Sequence, residues 1–274
     1  MVFESFDVKL YLQQTGVQMS DLVIHQIPVL KDNFIYLVHD PESGESAAVD
    51  PAVAAPVMKA LEVKGWSLTH IFNTHHHNDH TGGNLELKKA TGCSIVGAAV
   101  DASRIPGIDI QIAEGDRISI GNHQAQIFDV SGHTNGHIAY WFENNNVLFS
   151  GDTLFSLGCG RLFEGTPEQM WGSLLKLRNL PDETSIYCAH EYTSTNVNFA
   201  LTIEPENDDL KRRAEEVFRL RKDGKPTVPS ILGEEKRINP FLRADNDDLL
   251  CAAGLAGQDA VSVFAEIRRR KDHF

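Results

Sequence analysis

Short apolar strands alternate with helices along the first two thirds of this chain, and that alternation limits the folds it can adopt. Up to about residue 191, strand-like segments are separated by turn residues and by helical patterns. The clearest helix begins at Thr166, because Pro167 occupies its first position and Gln169 can complete a capping box. Only helical patterns follow, at 196–203, 208–221 and 260–270. The sequence therefore predicts an α/β domain followed by a smaller helical domain.

We divide the 274 residues into three segments. Residues 1–20 are poor in core-forming patterns and are interpreted as an N-terminal extension. Residues 21–191 contain the strands and are predicted to form the α/β domain, and residues 192–274 are predicted to form the helical domain. A chain of this length with 42% hydrophobic residues can bury a substantial core.

Composition argues against several classes of function. Lysine and arginine total 25 against 38 acidic residues, and the resulting formal charge of −13 is opposite to the balance typical of nucleic-acid binders. No run of about 18 apolar residues is present, so we expect no transmembrane helix and no membrane partner. The four cysteines are widely spaced and form no Cys-x-x-Cys pair, which is typical of reduced thiols in a cytoplasmic protein. We expect the protein to act as a monomer.

Four of the twelve histidines fall within six residues, directly after a predicted strand. They include the pattern His-x-His-x-Asp-His, formed by His75, His77, Asp79 and His80. Imidazole and carboxylate groups are the ligands that zinc and similar divalent cations accept. Because His75 and His77 can point at one ion while Asp79 and His80 reach a second, the spacing indicates two neighbouring metal sites. His76 points the other way in an extended chain and is interpreted as a supporting or structural residue.

Three further metal ligands are predicted at strand ends, each followed by small or polar turn residues: His133, Asp152 and His190. A histidine at a strand end is by itself more often structural than ligating. Together with the histidine cluster, however, the three residues complete a binuclear set. The remaining histidines, including His70 and His137, lack this context and are interpreted as structural.

These motifs, taken in order along the chain, closely resemble those of the metallo-β-lactamase superfamily and, within it, the glyoxalase II family of hydroxyacylglutathione hydrolases. The resemblance extends from about Leu22 to the C-terminus. It implies an α/β fold, an αββα metallo-β-lactamase-like sandwich with the metals at one edge of the two sheets, and a smaller C-terminal helical domain. It assigns one metal to His75, His77 and His133, the other to Asp79, His80 and His190, and the bridging position to Asp152.

The residue at position 152 separates subgroups within this superfamily. Asp152 resembles the bridging carboxylate of the thioester hydrolases, whereas the β-lactamases that open antibiotic rings commonly have cysteine there. Asp50 resembles a buried aspartate that orients a ligating histidine. A plain turn residue before Pro51 is a nearly equal alternative for Asp50.

The resemblance also places the glutathione part of the substrate between the two domains and makes residues 192–274 the substrate-binding domain. The implied substrate-binding residues are Arg161, Phe163, Tyr192 and Arg243. Glutathione carries two carboxylates, which arginine can hold in a bidentate manner. Phe163 stands where some members have tyrosine, and Asn246 stands where some have a basic residue, so these two positions bear on glutathione affinity.

The implied activity is hydrolysis of S-(2-hydroxyacyl)glutathione, with S-D-lactoylglutathione as substrate and glutathione and D-lactate as products, in methylglyoxal detoxification. The cofactors are expected to be two divalent ions, zinc first, with iron or manganese as alternatives. A hydroxide bridging the metals would attack the thioester, so no side-chain nucleophile is expected. Cys159 is interpreted as structural, because the sequence offers it no dedicated base. Two alternatives stay open: a mononuclear iron persulfide dioxygenase of the same superfamily, and a non-catalytic metal-binding or redox protein.

Overall fold

The computed structural model of the protein describes residues 21–274, so the predicted N-terminal extension at 1–20 lies outside the described residues. Two six-stranded sheets pack face to face and carry helices on their outer surfaces. Further helices follow at the C-terminal end of the chain. The predicted α/β sandwich with a helical C-terminal part is confirmed.

The first sheet consists of β1 (Val23–Val29), β2 (Asn33–His39), β3 (Ser46–Val49), β4 (His70–Phe72), β5 (Ser94–Ala98) and β6 (Ile110–Ile112). These strands lie in the sheet in the order in which they occur in the chain. The two strand pairs from β1 to β3 are antiparallel, and the pairs from β3 to β6 are parallel. The helices between the strands are α1 (Ala54–Lys64), α2 (Asn78–Thr81) and α3 (Asn84–Thr91). Parallel neighbours require a crossover, and these helices supply the first two crossovers.

The strands of the second sheet are β7 (Arg117–Ile120), β8 (His123–Asp129), β9 (Ile138–Phe142), β10 (Val147–Gly151), β13 (Ser185–Cys188) and β14 (Ser230–Ile231). Their order in the sheet is β14-β13-β10-β9-β8-β7, in which only β10 and β13 are parallel. Helix α4 (Pro167–Arg178) forms the crossover between these two strands and begins with the predicted capping box. A small hairpin of β11 (Leu154–Phe155) and β12 (Gly158–Cys159) follows β10.

The C-terminal part of the chain is helical apart from β14, which joins the edge of the second sheet. The sequence patterns did not predict this strand, because two residues are too few to show a period. None of the helices described in residues 21–274 is long and apolar enough to cross a membrane. The helices here are α5 (Thr193–Ile203), α6 (Asp208–Lys222), α7 (Leu232–Ile238), α8 (Asp247–Ala252) and α9 (Ala260–Asp272).

Strand β2 is buried on both faces and illustrates how the layers are held together. Phe34 and Tyr36 belong to the core between the two sheets, whereas Ile35 and Leu37 pack in the core beneath α1 and α3. Alternate side chains of a strand point to opposite faces, so one strand can serve both cores. Burying each such side chain contributes about 1.5–3 kcal/mol.

The two sheets are also joined by backbone pairing at one edge. The amide of Phe34 at the start of β2 donates to the carbonyl of Ala189 after β13 at 2.8 Å, and the amide of Glu191 donates to Asp32 at 2.8 Å. This pairing brings the loops that follow β4, β8, β10 and β13 to a common edge of the sandwich. That edge holds the predicted metal ligands.

Candidate metal centre and substrate cavity

The structure brings all seven predicted metal ligands together from four separate segments of the chain. His75 and His77 lie in the loop after β4, and Asp79 and His80 lie in the single-turn helix α2. The other three, His133, Asp152 and His190, lie in the loops that follow β8, β10 and β13. Three overlapping groups of these side chains have ligand atoms within 4.8 Å of one another.

The first donor set consists of His75, His77 and His133. Nε2 of His75 lies 2.9 Å from Nδ1 of His77, and Nε2 of His133 lies 3.2 Å from the same atom. Burial and the neighbouring His133 lower the pKa of His77 to about 4, so its ring is neutral at physiological pH. A neutral imidazole offers a lone pair, which is the form that binds a metal.

The second donor set consists of Asp79, His80 and His190. Oδ2 of Asp79 lies 3.6 Å from Nε2 of His80 and 3.6 Å from Nε2 of His190. The side-chain Nδ2 of Asn33 donates to the same carboxylate oxygen at 3.1 Å. Asn33 at the start of β2 therefore fixes the orientation of Asp79.

Asp152 lies between the two sets and directs one oxygen toward each. Its Oδ2 lies 3.4 Å from Nε2 of His133 in the first set. Its Oδ1 lies 3.7 Å from Nε2 of His80 and 3.4 Å from Nε2 of His190 in the second set. Burial raises the pKa of this carboxyl, but the surrounding histidines outweigh burial and hold the pKa well below its usual range. Asp152 is therefore an anion that can contact both sets.

Hydrogen bonds from outside the two sets determine which nitrogen of each ring is free. Nδ1 of His190 lies 2.8 Å from a carboxylate oxygen of Asp32, and Nδ1 of His133 lies 2.8 Å from the carbonyl of Arg161. These acceptors require a proton on Nδ1, so Nε2 of both rings carries a lone pair toward the centre of the site.

Asp50 does the same for His80. Its Oδ2 accepts from Nδ1 of His80 at 3.0 Å and from the hydroxyl of Thr74 at 2.7 Å, and its Oδ1 accepts from the amide of Thr74 at 2.8 Å. Of the two interpretations that the sequence left open for Asp50, the geometry matches the orienting one.

A cation fits this arrangement because the free lone pairs otherwise face one another. Within residues 21–274, Nε2 of His80 and Oδ1 of Asp152 are buried and have no hydrogen-bond partner. Burial lowers the pKa of His80, but Asp152 and Asp50 outweigh burial and raise it to about 9, so at neutral pH Nε2 binds a proton that a divalent cation would displace. Imidazole and carboxylate oxygen are suitable ligands for zinc, iron or manganese. The residues present therefore fit two neighbouring divalent ions.

Two histidines outside the sets have different roles. Nδ1 of His76 lies 3.0 Å from Asp101, and His76 belongs to neither set, in line with its interpretation as a supporting residue. His137 lies closer to the centre than the sequence indicated. Its Nε2 accepts from the amide of Asp152 at 3.0 Å, and its ring stacks on His75 with centroids 4.7 Å apart. His137 thus holds the backbone of Asp152.

A cavity of about 480 Å³ opens onto the donor sets and extends to helices α5 and α9. Three of the predicted substrate-binding residues line it: Arg161, Phe163 and Tyr192. The ring of Tyr192 stacks on His190 with centroids 4.7 Å apart, and the guanidinium of Arg161 lies over the Phe163 ring at 4.8 Å. Phe163 is 55% exposed, so its ring forms a rim of the cavity.

Arg243, the fourth predicted substrate-binding residue, does not line this cavity, and its assignment is corrected. Arg243 is 8% exposed, and its guanidinium forms an ion pair with Glu204 and donates to Asn246 at 3.0 Å. These residues line a separate cavity of about 660 Å³ in the C-terminal part. The physical reason is that Arg243 follows the turn Pro240–Leu242, which directs it toward the end of α5 and away from the donor sets.

Two basic residues that sequence reasoning missed line the cavity instead, Arg268 and Lys271 on α9. Nζ of Lys271 donates to the carbonyl of Thr195 at 3.1 Å. Burial and the nearby Arg268 lower the pKa of Lys271 to about 8. Their i, i+3 spacing puts both on one helix face, which was the available signal, but spacing alone does not reveal what that face covers.

Comparisons with known proteins agree with this geometry. The metallo-β-lactamase superfamily profile matches residues 32–190, and the profile described as the hydroxyacylglutathione hydrolase C-terminus matches residues 191–274. The hydroxyacylglutathione hydrolase of Methylococcus capsulatus is 60% identical over 253 residues, covering 92% of this chain and 99% of that protein. That of Rhodospirillum rubrum is 59% identical over 256 residues, covering 93% and 100%.

Among solved structures, ETHE1 from Myxococcus xanthus has a TM-score of 0.66 at 25% identity and covers 90% of both chains. This likeness extends over the sandwich and into the C-terminal part. The two profile matches and the long, highly identical relatives point to the same assignment. The chain belongs to the hydroxyacylglutathione hydrolase family of the metallo-β-lactamase superfamily.

Proposed function

We propose that the protein is a binuclear metal-dependent thioester hydrolase that converts S-(2-hydroxyacyl)glutathione, and S-D-lactoylglutathione in particular, into glutathione and the hydroxy acid. The observation that carries the proposal is the position of Asp152, which directs one carboxylate oxygen toward each donor set. The names of the relatives at 59–60% identity support the same activity.

The two donor sets are proposed to hold two divalent ions, with zinc as the first candidate because it suits imidazole and carboxylate together. Such ions lower the pKa of water to about 7 and polarise a carbonyl oxygen. The chain's own contribution is orientation. Asp50, Asp32 and the carbonyl of Arg161 each hold the Nδ1 proton of a histidine, so that Nε2 of His80, His190 and His133 would be available to the ions.

The cavity suits a glutathione thioester because its lining contains basic side chains and an aromatic rim. Arg161 and Lys271 can pair with the two carboxylates of glutathione, which a chain of net charge −13 would otherwise repel. Burial and the carboxylate of Asp32 raise the pKa of Tyr192 well above its usual range. Its hydroxyl therefore stays protonated and can donate a hydrogen bond to the substrate.

The thiol that lines the cavity is not suited to act as a nucleophile. Cys159 lines the cavity, but burial raises its pKa to about 11 in spite of the neighbouring Arg268. A thiol with that pKa is almost fully protonated at neutral pH, and the protonated form is a poor nucleophile. This supports hydrolysis by water without a covalent intermediate on the protein.

Two features favour this proposal over the alternatives that the sequence left open. A mononuclear iron dioxygenase needs one donor set, whereas the described residues form two with a carboxylate between them. A purely structural metal site is closed, whereas the side chain of Asp79 is 44% exposed and lines the cavity. The site is therefore open to a substrate.

We further propose that the protein acts in the cytoplasm, in methylglyoxal detoxification, and as a monomer. The free state of all four cysteines supports a reducing compartment. The oligomeric state can be measured by light scattering on the purified protein.

The test is the loss of thioester absorbance when the purified, metal-loaded protein is given S-D-lactoylglutathione. Metal content per chain and the effect of prior chelation are measured on the same preparation. We expect hydrolysis with close to two metals bound, loss of activity on chelation, and no activity in His133→Ala. His76→Ala is the matched control, because this neighbouring histidine belongs to neither donor set.

A metal-loaded protein that leaves the thioester intact would refute the proposal. Oxygen consumption with glutathione persulfide, measured on that same preparation, would then identify the dioxygenase alternative. A metal content of one per chain together with that oxygen consumption would replace the binuclear assignment.

A further inference from the structure

The hairpin β11–β12, residues 154–159, connects the metal centre to the substrate cavity. It begins two residues after Asp152 and ends two residues before Arg161. Phe155 and Cys159, one on each strand, line the cavity. The position of this hairpin therefore sets the shape of one cavity wall.

Side chains from the C-terminal part of the chain donate hydrogen bonds to backbone carbonyls of the hairpin. Asn239 donates from Nδ2 to the carbonyls of Phe155 at 3.1 Å and Gly158 at 3.2 Å. Asn196 donates to the carbonyl of Ser156 at 3.0 Å, and Arg268 donates to that of Cys159 at 2.9 Å. Asn196, Asn239 and Arg268 are all buried. A two-residue antiparallel pair offers few bonds of its own, so these side chains hold it in place.

Glu235 on α7 is the carboxylic acid of this group and is completely buried. Its Oε2 accepts from the amide of Leu157 at 2.7 Å and from Nδ2 of Asn239 at 3.1 Å. Leu157 has a φ of +58°, in the left-handed region that a branched side chain rarely occupies. Such a conformation persists only when the surroundings enforce it. The hydrogen bond from the amide of Leu157 to Glu235 lies at this turn and therefore stabilises the left-handed conformation of Leu157.

Asp152 is anchored independently of this group. Its amide donates to Nε2 of His137, and the hydroxyl of the next residue, Thr153, donates to the carbonyl of Val130 at 3.0 Å. The carbonyl of Arg161 that holds Nδ1 of His133 lies beyond Cys159, whose own carbonyl is held by Arg268. Releasing the turn at Leu157 should therefore move Phe155 in the cavity wall and leave the metal ligands in place. This separates an effect on substrate binding from an effect on the metal centre.

We propose that Glu235 is a positioning residue for substrate binding: through Leu157 and Asn239 it holds the hairpin 154–159 in the position at which Phe155 forms part of the cavity wall. The inference rests on the proposed function and adds a part of the C-terminal region that never touches the substrate. Loss of the Glu235 acceptor should therefore increase KM and change kcat and metal content little.

The test compares Glu235→Gln with Glu235→Met. Glutamine keeps an acceptor oxygen for the amide of Leu157, whereas methionine fills a similar volume and accepts no bond from it. Asp40→Met is the matched control. Asp40 is also completely buried and accepts from the amides of Glu42 at 3.0 Å and Asn122 at 3.2 Å, but it lies at the far end of β2 from the site.

We expect Glu235→Met to raise KM for S-D-lactoylglutathione by about fivefold or more, since a buried amide is left unpaired, with kcat within about twofold of wild type. Metal content should be unchanged, and hydrogen exchange should accelerate in the segment 153–160. Glu235→Gln should restore KM and slow exchange. Asp40→Met should lower stability and leave KM unaltered.

The proposal is overturned if Glu235→Met leaves KM and exchange at 153–160 as in wild type, or if Asp40→Met raises KM equally. If Glu235→Met does not fold, Asn239→Ala, which frees the carbonyls of Phe155 and Gly158, is judged by the same criteria. If the wild type does not hydrolyse the thioester, the proposed function fails separately. Exchange at 153–160 and the calorimetric affinity for glutathione then decide the role of Glu235.

Discussion

Replacing Asp50 by asparagine should cause the loss of one of the two proposed metal ions and leave the fold intact. Asp50 is 3% exposed and accepts three hydrogen bonds, two from Thr74 and one from Nδ1 of His80. Asparagine has nearly the same volume, and its oxygen can still accept from the amide of Thr74. Its NH₂ group, however, would face the N–H of His80.

That conflict is relieved only if His80 moves its proton to Nε2, the atom that lies 3.7 Å from Asp152 and 3.6 Å from Asp79. A protonated Nε2 has no lone pair for a metal. A hydrogen bond to a charged group contributes about 1.5–3 kcal/mol, and orienting partners of metal ligands typically change affinity by about 10- to 100-fold. We therefore expect a loss of about 10- to 100-fold in affinity at the set Asp79, His80 and His190.

The assay is equilibrium dialysis against buffered zinc followed by metal analysis, with hydrolysis measured on the same samples. Asp101→Asn is the matched control, because Asp101 makes the same contact, at 3.0 Å, with His76. We expect Asp50→Asn to retain about one ion at a free zinc concentration at which wild type and Asp101→Asn retain two. Wild-type affinity for two ions in Asp50→Asn would refute the reasoning, as would an equal loss in Asp101→Asn.

Three further outcomes are expected. Because burial lowers the pKa of Lys271 to about 8, its charge is present below that pH and lost above it, so KM for the thioester should rise as the pH passes 8. Lys271→Arg should keep KM low at pH 9 in the same kinetic assay, and an unchanged pH profile in this variant would contradict the assignment. Thr166→Ala removes the acceptor for the amide of Gln169 at 3.3 Å and should lower the free energy of unfolding by about 1 kcal/mol in urea, with metal content unchanged. Leu174→Ala, at a completely buried position of α4, should lower it by about 2–5 kcal/mol without altering kcat of the folded enzyme.

Local sequence patterns predicted the α/β class, the helical C-terminal part and the seven candidate metal ligands. Alternation of short strands with helices indicates an α/β domain, and the capping residues at Thr166 act within one turn of helix. The candidate metal ligands could also be predicted, because four of them lie within six residues and the others follow strand ends. Such signals are local, so they do not depend on how distant segments pack.

Which residues orient those candidate ligands, and which line the cavity, depends on the tertiary structure. Asp32 reaches His190 across 158 positions of the chain because the start of β2 pairs with the segment after β13. Arg243 and Lys271 are both basic residues of the C-terminal part, but Arg243 is buried against Glu204 while Lys271 lines the cavity. The sequence specifies the charge of each side chain. Its direction follows from helix packing, which long-range contacts determine.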